Sequence, residues 1–250
     1  MLYREYRPSI VLARQIECYW TLTGVVALSE HTVYPDGCMD ILFNFSEEQS
    51  FLRDRERISV IGSMTKPIHV QQTGRIDLLG VRFNPGGLAE FISYDWRELT
   101  DCTACFENFS AIPNELNVDL LADLNTESRI QKIEQYFLQN LQEARKDPFR
   151  VSIQEILISK GRVKVGTLGR QLGISPKTMH RKFTNRVGLS PKQLINIVRF
   201  RAIKEHLEYN AQSSLIEIAD HFGFTDSAHL THSFKQFAGI SPTRFRDGLR

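Results

Sequence analysis

The chain has 250 residues, 42% of them hydrophobic and 24% charged, with a net charge of +2. This length allows one or two domains with a sizeable core, and no run approaches the roughly 18 consecutive apolar residues of a membrane span. The N-terminal stretch carries charges of both signs and lacks the apolar segment of a secretory signal, so we expect a cytoplasmic protein without a membrane partner. In that compartment we expect reduced thiols at all four cysteines, which are Cys18, Cys38, Cys102 and Cys105.

The charge is divided unequally along the chain. Residues 1–148 contain 14 Lys and Arg against 22 Asp and Glu, whereas residues 149–250 contain 17 against 7. A basic segment of this kind favours a polyanionic partner, and DNA is the usual one because each neutralised phosphate releases counterions. We therefore predict an acidic domain at 1–148 and a basic domain at 149–250. The boundary is expected near 147–150, because Pro148 disfavours helical geometry at the residue before it.

The first third of the chain predicts β-structure. Short runs rich in β-branched and aromatic residues alternate apolar and polar side chains, and turn residues at 35–37 and 84–87 separate them. The predicted strands are 16–26, 32–33, 39–45, 58–61 and 76–83. They indicate an antiparallel sheet or barrel, followed by helical spacing from Leu88 and by an amphipathic helix at 127–145.

The basic half contains an internal repeat. Residues 168–175 resemble residues 218–225, and the match continues from Phe183, Gly188, Ser190 and Pro191 to Phe234, Gly239, Ser241 and Pro242. Each copy has a short helix, a glycine, an apolar residue and a Ser or Thr that can cap a second helix, which is the order of a helix-turn-helix. We predict these units at about 163–188 and 214–239, joined by a helix at about 191–209.

The turn between the two helices of each unit requires particular small residues. Gly173 and Gly223 follow the first helix, where the chain must reverse in a left-handed conformation that a Cβ atom resists. Gly169 and Ala219 lie four positions earlier and let the second helix cross closely over the first.

In each copy the second helix has an apolar face and a polar face. The apolar residues are Met179, Phe183 and Val187 in the first copy, and Leu230, Phe234, Phe237 and Ala238 in the second. The outward residues are Lys177, His180, Arg181 and Thr184 in the first copy, and Ser227, Ala228, Thr231, His232 and Lys235 in the second. A compact helical hairpin with a solvated basic face would give the same faces, but the repetition favours DNA binding.

A helix of this kind fits the major groove of B-DNA, with side chains near its N-terminal end reaching base edges. We expect base-edge or groove contacts from Lys177, His180, Arg181, Thr231 and His232. Groups at helix ends and flanks position a protein on DNA without reading its sequence. We expect phosphate contacts of this type from Ser175, Lys182, Lys192, Arg199, Lys235, Arg244 and Arg246.

Residues 150–250 resemble the C-terminal DNA-binding domain of the AraC/XylS family of bacterial transcription regulators. The most specific part is GFTDSAHLTHSFKQFAGISPTRFR at 223–246, including Asp226 and His229 at the turn into the last recognition helix. The resemblance implies a sequence-specific transcription regulator whose all-α C-terminal domain binds successive major-groove segments of double-stranded DNA. With the β-rich first half, the expected fold class is α+β. His232 stands where the family usually has an arginine, which implies a weaker or pH-dependent contact.

Segments 34–45 and 62–91 resemble an N-terminal domain attached to a subset of these regulators. The family implies a sensory or dimerisation role for this domain, with a small-molecule effector, a second copy of the chain and RNA polymerase as further partners. Candidates for a polar effector site are Asp36, Asp40, Arg82 and Asn84. Asp36 and Asn84 stand beside turn prolines, however, and are more typical of turn residues.

Two catalytic or metal-dependent alternatives have less support. A metal-dependent barrel enzyme needs clustered ligands, and the acidic half offers only His31 and His69, which are far apart in the sequence. An Ada-like DNA-repair regulator, with a cysteine zinc or methyl-acceptor site, is suggested by the CxxC at 102–105. The other two cysteines lie twenty residues apart and lack zinc-ligand spacing. We therefore expect no enzyme activity, no metal and no cofactor.

Overall fold

The computed structural model describes residues 1–46, 57–109, 113–141, 148–210 and 212–249. Its strands form a single antiparallel sheet in the order β1-β2-β5-β3-β4-β6. They are β1 Leu2–Tyr6, β2 Ile16–Val33, β3 Met39–Asn44, β4 Ile58–Ile61, β5 Ile68–Phe83 and β6 Thr103–Cys105. Short 3₁₀ turns at Leu88–Glu90, Trp96–Leu99, Phe106–Asn108 and Asn114–Leu116 follow or interrupt this sheet.

The helices lie towards the C-terminus. They are α1 Val118–Ala122, α2 Thr126–Asn140, α3 Pro148–Ile158, α4 Val165–Leu172, α5 Pro176–Val187, α6 Pro191–Tyr209, α7 Leu215–His221, α8 Ser227–Ala238 and α9 Pro242–Asp247. The separation of a sheet half from a helical half confirms the expected α+β class. Among the described residues, no helix combines the length and the apolar character needed to cross a bilayer.

The two longest strands extend beyond their predicted bounds. β2 continues through residues 27–31 with a bulge between Val26 and Ser29, and β5 begins at Ile68 instead of residue 76. The added part of β5 contains polar side chains such as Gln71 and Gln72, so it lacks the alternating apolar pattern that predicts a strand. Backbone pairing between β2 and β5 forms the strand there. The edge strands β1 and β6 were not predicted either.

The sheet half has its main core on one face of the sheet. Tyr19, Ile41 and Val81 point to this face and are completely buried. They pack in one cluster with Trp96 from a 3₁₀ turn and Phe137 from α2. The predicted end of α2 and the predicted domain boundary at 147 fall on 142–147, outside the described residues, and α3 begins at Pro148.

The helical half has its own core, in which α6 is central. Ile197, Phe200 and Ile203 on α6 are almost completely buried and pack with residues of both predicted units. The pairs α4–α5 and α7–α8 have the predicted helix-turn-helix order, and α6 matches the predicted connecting helix of 191–209. One buried helix therefore supports both units.

Candidate nucleic-acid interface

The first unit has a sharply defined turn between its helices. Gly173 ends α4 in the left-handed conformation with φ of 61°, as predicted. The hydroxyl of Ser175 then accepts a hydrogen bond from the amide of Thr178 at 3.2 Å and caps α5. Pro176 fits the first helical position because its missing N–H has no partner there. These three residues fix where α5 begins and therefore which residues lie at its N-terminal end.

The outward face of α5 is strongly basic. Lys177, His180, Arg181 and Lys182 are all exposed, and the helix contains no acidic residue. Thr184 was predicted on this face, but it is buried with 9% exposure. Its hydroxyl donates to the carbonyl of His180 at 3.0 Å. A threonine within a helix can form this hydrogen bond to a backbone carbonyl one turn earlier, so it needs no solvent partner. Thr184 is therefore a packing residue.

The second unit is built in the same way but has different charges. Gly223 has φ of 72°, again as predicted, and the Asp226 carboxylate caps α8 by accepting from the amide of His229 at 2.7 Å. His232 and Lys235 are exposed, and Thr231 is half-buried with its hydroxyl donating to the carbonyl of Ser227 at 2.7 Å. Thr231 can therefore offer mainly acceptor lone pairs to DNA.

The two N-terminal ends differ electrostatically. A helix N-terminus attracts anions through its free amides and its dipole. At α5 the neutral Ser175 caps this end and Lys177 follows, so the end can approach a phosphate. At α8 the charged Asp226 occupies the cap and opposes a phosphate. The first unit is therefore better suited to backbone contacts at this position.

Two of the predicted phosphate contacts need correction. Both Nε and a terminal nitrogen of Arg199 donate to the carbonyl of Gly161, at 2.8 and 2.5 Å, and the side chain is half-buried. Burial also lowers the pKa of Arg199. Arg246 is likewise half-buried and donates to the carbonyl of Ser213 at 3.1 Å. Both guanidinium groups hold segments of the fold together, whereas Lys192 and Arg244 are exposed.

In the sheet half, three of the four candidate polar-site residues come together. Arg82 Nε lies 3.6 Å from Asp36 Oδ2 and 3.5 Å from Asp40 Oδ1. Burial raises the pKa of Asp40 to about 6, although the positive charge of Arg82 acts to lower it. Asn84 is separate from this cluster, because its amide donates to the carbonyls of Ala13 and Arg14 at 3.3 Å and holds a turn.

Residues that the sequence did not indicate complete this cluster. Trp20 Nε1 donates to Asp40 at 2.6 Å, and the Cys38 thiol donates to Glu17 at 3.3 Å. Glu17 also forms an ion pair with Arg201 of α6 at 2.5 Å, which links the cluster to the helical half. No local motif predicts these partners, since they come from separate strands and from a helix in the other half.

The positions of the cysteines and histidines do not support a metal site. Cys18 lies on β2 and Cys105 on β6, which are separated by four interstrand spacings, or about 19 Å. His69 pairs with Thr32 across the β2–β5 ribbon, so His31 and His69 are close but point to opposite faces. Among the described residues, no three His, Cys, Asp or Glu side chains are placed to hold a metal ion.

Comparison with known proteins agrees with this geometry. A family model described as a helix-turn-helix domain, of the AraC type, matches residues 168–248. The transcriptional activator RhaS of Escherichia coli O157:H7 is 33% identical over 78 residues, covering 31% of this chain and 28% of RhaS. Residues 168–248 therefore form a helix-turn-helix domain of the AraC type. The chain spans less than a third of the length of these RhaS relatives, and a second model, a domain of unknown function, matches residues 4–104 of the sheet half.

Two solved structures are similar to parts or all of the chain at low TM-scores. The DNA-binding domain of AdpA, in complex with a target DNA, is 25% identical with a TM-score of 0.39, covering 42% of this chain and 95% of that one. ToxT from Vibrio cholerae O395 is 10% identical with a TM-score of 0.46, covering 92% of this chain and 98% of that one.

Proposed function

We propose that this chain is an AraC/XylS-type regulator, which controls transcription by binding double-stranded DNA sequence-specifically through α5 and α8. The observation that carries the proposal is the tandem unit, in which two capped helices each expose a polar face beside one shared central helix. An exposed polar helix face of this kind can enter the major groove, where base edges are distinguishable. The AraC-type match over residues 168–248 supports the same activity.

Within this proposal the exposed side chains have two roles. We propose base or groove contacts from Lys177, His180, Arg181, Thr231 and His232, all of which are exposed or half-buried. Phosphate contacts come from Ser175, Lys182, Lys192, Lys235 and Arg244. The first unit carries most of the positive charge, so it supplies most of the charged contacts in the major groove.

Selection of DNA from a random library by the full-length protein tests this function. We expect enrichment of a sequence with two short motifs, and protection of both motifs in a footprint. Binding that is weak, lost in moderate salt and equal on all sequences would contradict sequence-specific recognition, because backbone contacts alone produce that behaviour.

We further propose that residues 1–148 form a sensory or dimerisation domain and residues 149–250 the DNA-binding domain. The opposite net charges of the two segments and their separate hydrophobic cores support this division. An open cleft of about 1540 Å³ between the turn at 84–87 and α3 offers space for an effector, with Arg14 and Phe149 among the residues that line it. RNA polymerase and a second copy of the chain are the partners proposed besides DNA, and the regulator acts without catalysis.

A further inference from the structure

The sheet half completes the C-terminal end of the first recognition helix. Ser63, in the loop at 62–67, donates its hydroxyl to the carbonyl of Val187 at 2.7 Å, and Thr100 donates to the carbonyl of Gly188 at 2.6 Å. The last carbonyls of an α-helix have no partner within the helix. Ser63 is completely buried, so this hydrogen bond is shielded from solvent. Two hydroxyl groups from the acidic half therefore cap α5.

The contact is too close for a side chain on the helix. Gly188 ends α5 with φ of 76°, and a Cβ built there would lie 2.9 Å from the carbonyl oxygen of Trp96 and 3.0 Å from the hydroxyl of Thr100. The turn at Trp96–Leu99 thus rests directly on the backbone of α5. Contacts of this kind fix the position of the helix end as well as its hydrogen bonding.

The sheet half also reaches the equivalent end of the second recognition helix. Gly239 corresponds to Gly188 in the repeat, and a Cβ built on it would lie 3.8 Å from the ring of Pro67. Nearby, the ring of Tyr34 packs against Phe245 of α9 and Phe200 of α6, with ring centroids 5.9 and 6.2 Å apart. The loop at 62–67 therefore bonds to the end of α5 through Ser63 and lies beside the end of α8 at Pro67.

The DNA-reading end of α5 stays accessible in this arrangement. The helix has 12 residues, which corresponds to about 18 Å. Lys177 and Arg181 are exposed towards its N-terminal end, while Ser63 and Thr100 hold the opposite end. Contact with the sheet half is therefore compatible with binding of the groove.

We propose that the loop at 62–67, together with Thr100, is a spacer that fixes the separation and relative angle of α5 and α8. Ser63 and Thr100 are then positioning residues for DNA recognition. Helix α6 joins the two units through turns at its ends, and the spacer adds hydrogen bonds to the far end of α5 and packs Pro67 beside the far end of α8. This inference rests on the proposed function, since it concerns how two recognition helices match two DNA motifs.

The test compares wild type with the double variant Ser63→Ala/Thr100→Val. The probes are the DNA selected by wild type and the same DNA with one to three base pairs inserted between its two motifs. One inserted base pair rotates the second motif by about 35°, because one helical turn is 10–10.5 base pairs. We expect wild type to lose at least about tenfold in affinity per insertion, whereas the loosened variant loses less than about threefold. Tyr3→Phe is the control, because it removes a hydroxyl of the sheet half that lies outside the spacer and donates to Glu5 at 2.6 Å.

Several outcomes would overturn the inference. If the double variant rejects the inserted probes as strongly as wild type does, Ser63 and Thr100 do not set the separation. If it binds every probe more tightly than wild type, the sheet half restrains the DNA-binding half and does not position it. If wild type selects no sequence, the proposed function itself fails and the spacer fails with it.

A second comparison covers failure of the double variant to fold, which the loss of a cooperative thermal transition would reveal. Thr100→Val removes one hydroxyl with little change of shape, and Thr100→Ser retains the donor. We expect the serine variant to discriminate between probes like wild type and the valine variant to discriminate less. Equal behaviour of these two variants would overturn the role of Thr100.

Discussion

Substitution of the two equivalent cap glycines separates backbone strain from contact between the halves. Gly188 and Gly239 have nearly the same φ, 76° and 75°, so an alanine at either position costs about 1 kcal/mol in the left-handed region. At Gly239 the new Cβ meets nothing closer than 3.8 Å. At Gly188 it lies 2.9 Å from the carbonyl oxygen of Trp96, and overpacking of this kind adds about 1–3 kcal/mol. We expect losses of about 1 kcal/mol for Gly239→Ala and about 3 kcal/mol for Gly188→Ala.

The assay follows both halves of the full chain during urea denaturation. Both tryptophans, Trp20 and Trp96, lie in the sheet half, so fluorescence reports that half, while far-UV circular dichroism is dominated by the helical half. In wild type we expect the two signals to change together, and in Gly188→Ala to separate because the contact is loosened. Equal losses in the two variants, with coincident signals in both, would refute the close contact between α5 and the turn at Trp96–Leu99.

The remaining predictions concern recognition, helix stability and pH. Arg181→Ala should weaken binding to the selected DNA by about 1–3 kcal/mol and relax the preference at one base pair, whereas Lys182→Ala should weaken binding to all sequences by the same amount. If Arg181→Ala also weakened binding to all sequences by the same amount, Arg181 would be reassigned to a phosphate contact. Gly169→Ala should raise the free energy of unfolding by about 0.5–1 kcal/mol, because a Cβ there meets nothing closer than 3.8 Å in helix α4; a loss would mean that the helices cross more closely. Burial raises the pKa of Asp40 to about 6 from an ordinary value of 3.8. Between about pH 4 and about pH 6, therefore, Asp40 is protonated in the folded state and ionised in the unfolded state. The stability of wild type relative to Asp40→Asn should therefore fall as pH rises from about 4 to about 6, and a rise measured by urea denaturation would contradict the burial of this carboxyl.

Much of the helical half could be predicted because its signals are local. The glycines at 173 and 223, the capping residue Ser175 and the apolar spacing on α5 each depend on residues within one or two turns. In the second unit the predicted cap, Thr225, was wrong by one position, because the Asp226 carboxylate caps α8. The same reasoning failed at Thr184, which points inward because its hydroxyl donates to the carbonyl of His180 on the same helix. A prediction from hydrophobic periodicity assigns such a residue to the solvent face of the helix, because it treats every hydroxyl-bearing side chain as polar and exposed.

For the sheet half and the two arginines, the role of each side chain depends on partners that are distant in the sequence. Arg199 is basic and lies on a helix beside the predicted units, yet its donors go to the carbonyl of Gly161, thirty-eight positions earlier in the chain. Ser63 has no sequence signature at all, and it becomes important only because the fold brings Val187 to it. A single sequence carries no record of such pairings, so these roles require coordinates.

The asymmetry of the two units follows from these same contacts. Residues Ser63 and Thr100 cap α5, and the helix presents four cations, Lys177, Arg181, Lys182 and Arg186, with no acidic residue. In contrast, α8 has Lys235 as its single cation, begins at the charged Asp226 and ends at the exposed Gly239. A helix that is held at its C-terminal end and charged on its outward face is suited to fix the register on DNA. The second helix can then add base discrimination at a distance that the spacer and α6 define.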